Sequence, residues 1–387
     1  MTTAARVAPG DVRARAAEIG RSVAGPASGD VDKLARFPRE AIDALRDAGM
    51  MSALVPAGRG GAGAAFAEVA AACEELGHHC ASTAMIFAMH QIQAACLVKH
   101  GRSPELSALT DELVADQLLF ASATTEIGIG GDVRSSTCAV ETLGDRYTLE
   151  KNAPVISYGA YADAVFATAR RTPDSPPSDQ SLVVCRAPGL TLEQNGQWDT
   201  LGFRGTCSPG FLLRSEGPIG YVLDDPYADI SARTMLPVSH SLWASLWLGI
   251  ATEAVNRARA SVRKAARAKP GTTPPAALRL AEVVAVNQQF ADLVHGSVRR
   301  YEESLTDSEE QGSMHFAIAM NSLKVAASTL VVDVVGQAML VAGITGYRED
   351  SAFPIGRLLR DAYGAALMVN NDRIIGNSAQ LLLVTKD

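Results

Sequence analysis

At 387 residues, with 47% hydrophobic and 20% charged residues, the chain exceeds what one hydrophobic core usually serves, so two or three packed units are expected. A net charge of -7 without a long basic run argues against an electrostatic grip on nucleic acid or on an anionic membrane, and a small molecule is the expected partner. The six cysteines (Cys73, Cys80, Cys96, Cys138, Cys185, Cys207) show no CxxC pair and no metal-finger spacing, and read as reduced, mostly buried thiols of a cytoplasmic protein.

The first twenty residues mix charges into a helical pattern and lack the apolar block of a signal peptide. From Asp32 to about Arg102, apolar residues recur at three and four positions (Phe37, Ile42, Leu45; Val69, Cys73, Leu76), the period of amphipathic helices, with one turn-rich break from Val55 to Gly63. Residues 1–117 are therefore assigned to an α-helical domain. Within it, His78, His79 and Cys80 are adjacent, so on a helix they point in different directions, and no metal site is expected there.

From Leu118 to about Leu223 the pattern changes to short runs rich in Val, Thr, Tyr and Phe, such as YTLEKNAPVIS and AVFATAR, punctuated by Gly, Pro and Asp. Residues 118–228 form a β domain on this reading, with Thr172 to Gln180 as a solvated hairpin loop. After Asp229 helical periodicity returns, broken at Lys269 to Pro275 where two prolines and a glycine stop a helix, and residues 229–387 are assigned to a C-terminal helical bundle. The longest apolar stretch, Val325 to Ile344, carries Asp333 and Gln337 and suits a buried helix better than a membrane span. Segregated helices, strands and helices make an α+β chain; without βαβ alternation, and with no GxGxxG after a strand, a Rossmann site is disfavoured.

The segment FASATTEIGIGGDV (Phe120 to Val133) ends an extended run in hydroxyls and glycines. By itself it is either a strand with a flexible loop or a set of amides and hydroxyls offered to a cofactor. Together with FPREAIDALRDAGMMSALVPAGRGGAG, STAMIFAMHQ, VISYGAYAD, WDTLGFRGTCS and FPIGRLLRDAYGAALM, it appears in the order and spacing of the acyl-CoA dehydrogenase family, which the chain resembles over nearly its whole length. That resemblance implies an N-terminal helical domain, a central β-barrel-like domain and a C-terminal four-helix bundle. It also implies a flavin, FAD in the first place with FMN as the alternative, and a homotetramer or homodimer.

The resemblance implies roles residue by residue. Thr125 matches the threonine that bonds the pyrimidine side of the flavin, with Ser122 and Thr124 beside it. Gly130 and Gly131 fall at the pyrophosphate, and Val155, Ile156 and Ser157 replace a Trp-Ile-Thr/Ser triplet whose hydroxyl bonds flavin N5. Asn371 stands where the family has the threonine after its glutamate, and is grouped with the cofactor contacts. Other positions depart from the family. Its Arg-x-x-Phe-Gly motif falls on VRKAARAKPG, where Arg263 and Arg267 are the nearest substitutes, and a glutamine contacting a neighbouring subunit's FAD becomes Leu340. The catalytic glutamate position is Val369, and a second known location of that base is Ser239.

Removing an α-proton while a flavin accepts the β-hydride needs a positioned base. The candidates are His240, beside Ser239; His90, on the helix expected to face the acyl pocket; and Asp372, almost one turn past Val369. Each has an ordinary structural alternative: a packed or capping histidine, a packed histidine, and a surface ion pair with Arg373 or another charge. Trp243 and Trp247 either pack the core or narrow a pocket. The leading expectation is a flavin oxidoreductase that desaturates an acyl thioester, carried by coenzyme A or an acyl carrier protein, with a nonstandard base. The alternatives are a monooxygenase on the same fold, fed by a flavin reductase and using His240, His90 and Ser157 in oxygen chemistry, and a noncatalytic protein with a vestigial pocket.

Overall fold

The computed structural model describes residues 11–129 and 132–385. Six helices come first: α1 (Val12–Ile19), α2 (Gly25–Lys33), α3 (Arg39–Asp47), α4 (Phe66–His79), α5 (Ala81–His100) and α6 (Pro104–Asp116). The start of α6 shows the local logic: Ser103 accepts the Leu106 N–H as N-cap, and Pro104 occupies a first-turn position where a missing N–H costs nothing.

Seven strands follow: β1 (Phe120–Ala123), β2 (Glu141–Leu143), β3 (Arg146–Ala153), β4 (Ala164–Arg170), β5 (Gln180–Arg186), β6 (Leu190–Gln194) and β7 (Phe211–Pro218). They form a three-stranded sheet in the order β1-β4-β5 and a four-stranded sheet in the order β2-β3-β7-β6. Strand β3 alternates exposed and buried residues, as a sheet with one wet face requires, whereas β4 and β5 are buried almost throughout and accordingly read as apolar runs. The Tyr147 hydroxyl on β3 donates to the Val184 carbonyl on β5 and so ties the two sheets together. The expected hairpin loop joins β4 to β5, which pair antiparallel from Ala164↔Arg186 to Arg170↔Gln180.

The remaining chain is helical: α7 (Tyr227–Ile230), α8 (Leu236–Ala268), α9 (Ala276–Ser304), α10 (Ser308–Gly312), α11 (Met314–Ala342), α12 (Ile344–Tyr347), α13 (Gly356–Tyr363) and α14 (Asn371–Val384). The Lys269 to Pro275 break lies between α8 and α9, which pack on each other and on α11. Helix α8 also packs along α4, at a separation only glycine permits: a Cβ on Gly77 would lie 2.4 Å from the Leu246 carbonyl, and one on Gly249 2.2 Å from that of Glu74. Helix α11 differs from the expectation of a buried helix. Only 44% of its most apolar window is buried, and Leu340, expected opposite a neighbouring subunit's cofactor, is 68% exposed on its outer side.

Candidate functional site

Where the three segments meet, a cavity of about 550 Å³ opens between α5, the end of β1, the loops around Ser157 and Phe203, the start of α8 and the turn after α13. Its wall includes Ser122, Thr124, Thr125, Val155 and Ser157, five of the positions expected to meet the cofactor. Gly130 and Gly131 lie outside the described residues. Asn371 does not reach the wall. Its carbonyl oxygen accepts from Lys324 Nζ at 2.7 Å and its amide nitrogen donates to Ser328 Oγ at 3.0 Å, so helix-to-helix bonding consumes the side chain expected to face the cofactor.

Ser157 closes a relay of hydroxyls. Thr206 Oγ1 donates to the Phe203 carbonyl at 2.8 Å, and Ser208 Oγ donates to Ser157 Oγ at 2.9 Å, with Ser208 and Thr206 hydroxyls 2.8 Å apart. Ser157 therefore accepts within the protein and keeps its own O–H for a group in the cavity. The loop carrying Thr125 is braced from behind. Glu126, buried, accepts from the Cys138 N–H at 2.8 Å and from the Thr137 hydroxyl, with the fully buried Lys151 ammonium 3.4 Å away. Burial acts to raise the Glu126 pKa, yet the Thr137 bond and the Lys151 charge hold it below the ordinary carboxylate range.

The backbone is unusual here. Among the described residues, Tyr158, Phe203, Cys207 and Val369 are non-glycine residues with φ between 43° and 50°. Phe203 and Val369 line the cavity, and Tyr158 and Cys207 adjoin lining residues. For a β-branched residue such as Val369 this region is sterically unfavourable, and it persists only where surrounding bonds overdetermine it. At Phe203 the N–H donates to Asp361 Oδ1 at 2.7 Å; burial raises the pKa of this carboxyl to about 6. At Val369 the carbonyl accepts from Lys324 Nζ at 2.9 Å. Lys324, buried with its ammonium 6.0 Å over the Trp247 ring, has its pKa brought down to about 8 by burial. The sequence reading missed it, although a lone cation in the apolar run of α11 is the signal that marks it.

The three base candidates separate. His240, on α8, lines the cavity; its Nδ1 lies 3.0 Å from the Met320 carbonyl, so Nδ1 carries the proton and Nε2 stays an acceptor with no partner among the described residues. Burial, with the Lys324 charge adding to it, lowers its pKa to about 4. His90 is off the cavity wall. Its Nε2 donates to the Met51 carbonyl at 2.7 Å while its Nδ1 accepts the Phe120 N–H at 3.0 Å, so both ring nitrogens are consumed in joining α5 to β1 and the loop after α3. Asp372 is exposed in the first turn of α14, capped by Asn370, and does not reach the cavity; the chain changes direction at Asn370, so three residues from Val369 do not make a helical turn. A carboxylate there complements the helix dipole. Ser239, also on the wall, donates to the Leu236 carbonyl. Among the described residues that line the cavity, none is Asp or Glu.

Residues 10–108 match the model of the acyl-CoA dehydrogenase N-terminal domain, and residues 231–368 that of the C-terminal domain. Cyclohex-1-ene-1-carbonyl-CoA dehydrogenase of Geobacter metallireducens is 27% identical over 347 residues, 87% of each chain. Butyryl-CoA dehydrogenase of Megasphaera elsdenii superposes with a TM-score of 0.83 at 21% identity, covering 96% of this chain and 97% of that one. FMN-bound TdsC of Paenibacillus sp. A11-2, a dibenzothiophene monooxygenase, superposes with a TM-score of 0.83 at 19% identity, over 96% and 97%. At such identities these two likenesses speak for the fold alone.

Proposed function

The chain belongs to the acyl-CoA dehydrogenase family, and from that premise we propose that it is a flavin-dependent oxidoreductase that desaturates an acyl thioester, with His240 in place of the family's carboxylate base. The observation that carries this reading is the cavity wall itself: it has hydroxyls where the flavin is expected and one imidazole with a free acceptor nitrogen.

The residues present fit a flavin ring. Ser157 offers an unspent O–H, Thr125 sits on a loop braced by Glu126 and Lys151, and Val155 supplies an apolar contact in place of a tryptophan. When bound, the flavin supplies a two-electron acceptor for the substrate's β-hydride. His240 Nε2 takes the α-proton, and its Nδ1–H bond to Met320 holds the ring in the accepting tautomer. A pKa of about 4 gives the imidazole the proton affinity of an ordinary carboxylate, so a carboxylate base and this histidine are close in strength. We place Thr124, Ser122 and the Gly130–Gly131 turn with the cofactor as well, the last on the family's pattern. FAD is the first choice; FMN fits the departures at Leu340 and Val262–Gly271, positions that on the family's pattern serve the adenine half. The apolar outer face of α11 and α12, with Leu340, Ile344 and Tyr347 exposed, fits burial against a second copy of the chain in a dimer or tetramer.

Anaerobic mixing of the flavin-loaded protein with saturated acyl thioesters is expected to bleach the flavin absorbance. A panel of chain lengths that leaves the spectrum unchanged would sink the desaturation reading. The absence of a carboxylate on the described wall favours a second reading, a reduced-flavin, oxygen-dependent monooxygenase. Its sign would be incorporation of labelled dioxygen into a product.

A further inference from the structure

The chain enters α8 through a π turn. Residues Ser231–Met235, between α7 and α8, are wound so that the Leu236 N–H donates to the Ser231 carbonyl five residues back. Such a turn is an α-helix carrying one extra residue, rare in general and frequent at functional sites. Its effect here is rotational. An unbroken α-helix advances about 100° per residue, so Tyr227 and Ser239 would stand about 120° apart around the axis; the extra residue takes back about 100°. Tyr227, Ser231, Met235 and Ser239, at every fourth position, accordingly all line the cavity, with His240 beside the last.

Pro237, at the start of α8, has no N–H for the Arg233 carbonyl four residues back, so the helix is locally loosened; Lys99 Nζ reaches that carbonyl instead, at 3.4 Å. Loosening does not fix which way the turn faces. A buried histidine off the cavity wall does. His100, at the end of α5, is 4% exposed; its Nδ1–H donates to Asp225 Oδ2 at 2.7 Å, and its Nε2 accepts the hydroxyl of Thr234, within the turn, at 2.8 Å. Arg102 Nη2 donates to the same Asp225 oxygen at 3.0 Å. Aspartate, histidine and threonine stand in the order of a hydrolytic triad, but Thr234 is 1% exposed and is not on the cavity wall, so its hydroxyl meets no substrate. The ring is a clamp across the two ends of the segment that leads into α8.

We propose that His100 is a positioning residue of the substrate site: by holding Asp225 and Thr234 it keeps the π turn wound, and the turn places Tyr227, Ser231 and Met235 on the same wall as His240. Helix α8 is fixed by its packing on α4, α9 and α11, so without the clamp it is the residues ahead of α8 that rotate off the wall, while His240 stays. Thr125 and Ser157, expected to meet the flavin, lie on other segments and are not moved. The kinetic readout of this inference rests on the acyl-thioester reading; the turn itself is read without it.

The test uses the flavin-loaded protein with His100→Leu, which ends both bonds, Thr234→Val, which ends one, and His100→Gln, whose amide donates to Asp225 and accepts from Thr234. The first two are expected to raise KM for butyryl-CoA and octanoyl-CoA about tenfold while kcat and flavin affinity change less than about threefold, and His100→Gln to restore KM. An unchanged KM, a flavin affinity that falls as far as substrate affinity, or a His100→Gln variant as impaired as His100→Leu would overturn the proposal. A second readout needs no thioester. The thiol of Ser231→Cys, on the cavity wall, is labelled with methyl methanethiosulfonate and followed by mass, and adding His100→Leu is expected to slow the labelling about tenfold. An equal or faster rate would also overturn the proposal. If the labelling slows as expected but no thioester reduces the flavin, the clamp stands and the acyl-thioester reading falls.

Discussion

The seam around His90 and the seam around His240 begin from the same chemistry and end in different roles. Each holds a buried imidazole on a long helix, each ring lies against a main-chain carbonyl, and burial brings each pKa to about 4. At His90 the second nitrogen is taken by the Phe120 N–H, so the ring is a rivet between α5 and β1. At His240 the second nitrogen is left over, on a cavity wall, with Lys324 as a charged neighbour. Burial and pKa do not separate the two rings. A free lone pair on the cavity wall does.

The largest test of that contrast is His240→Ala, expected to lower the rate of flavin reduction by a thioester by roughly 10² to 10⁴, with a smaller loss of stability than at His90 because only the Met320 bond goes. His90→Ala should do the reverse. It leaves the Phe120 N–H unpaired in the core and the Met51 carbonyl with only the 3.4 Å bond from Gln91 Nε2, for a loss of about 3 kcal/mol in denaturant unfolding, while the surviving folded protein keeps its turnover. Equal effects of the two substitutions on turnover would collapse the distinction. Ser157→Ala should be milder. Losing one hydrogen bond to the flavin is expected to cost about tenfold in flavin affinity or reduction rate, without disturbing the fold.

A pH titration sharpens the comparison further. Both histidines have pKa values lowered by burial, so the unfolded chain binds more protons between about pH 6.5 and pH 4; their contribution is present above 6.5 and lost as pH falls through about 4. Asp361, raised by burial to about 6, acts in the opposite sense and loses its contribution as pH rises through about 6. The rivet's share is therefore read as the difference between wild type and His90→Gln, whose amide can keep both bonds; the acid-side loss should be shallower in the variant. The smallest expected effect is at Lys324. Lys324→Met removes the charge that depresses His240, so the acid limb of kcat/KM should move to higher pH, by less than about one unit. A limb that stays in place would remove Lys324 from the electrostatics of the site and leave it only as a clamp on Val369.

Much of the chain was legible before its fold. Periodicity located the first helices, the strands and the Lys269 to Pro275 break, because helix and strand patterns are local properties of side-chain spacing. The motifs, read in order, carried the family and pointed to Thr125, Val155, Ser157 and His240, all of which line the cavity. What spacing could not decide was which way each candidate turns and what its other side touches. Asp372 looked one turn from Val369, but the chain bends between them; Asn371 looked like a cofactor contact, but Lys324, 47 residues earlier, takes its carbonyl oxygen. Trp243 and Trp247 are alike in sequence, yet the cavity ends at the first and the second is core.

The sequence by itself determined the order of helices and strands, the family, and the absence of a glutamate at Val369, since each depends on residue identity and short-range spacing. Tertiary structure alone decided that His90 is fully bonded while His240 keeps a free nitrogen, and that Lys324 holds the left-handed turn at Val369. The physical reason is common to all of them: a hydrogen bond has two ends, and in each case the second end comes from a segment far away in the chain.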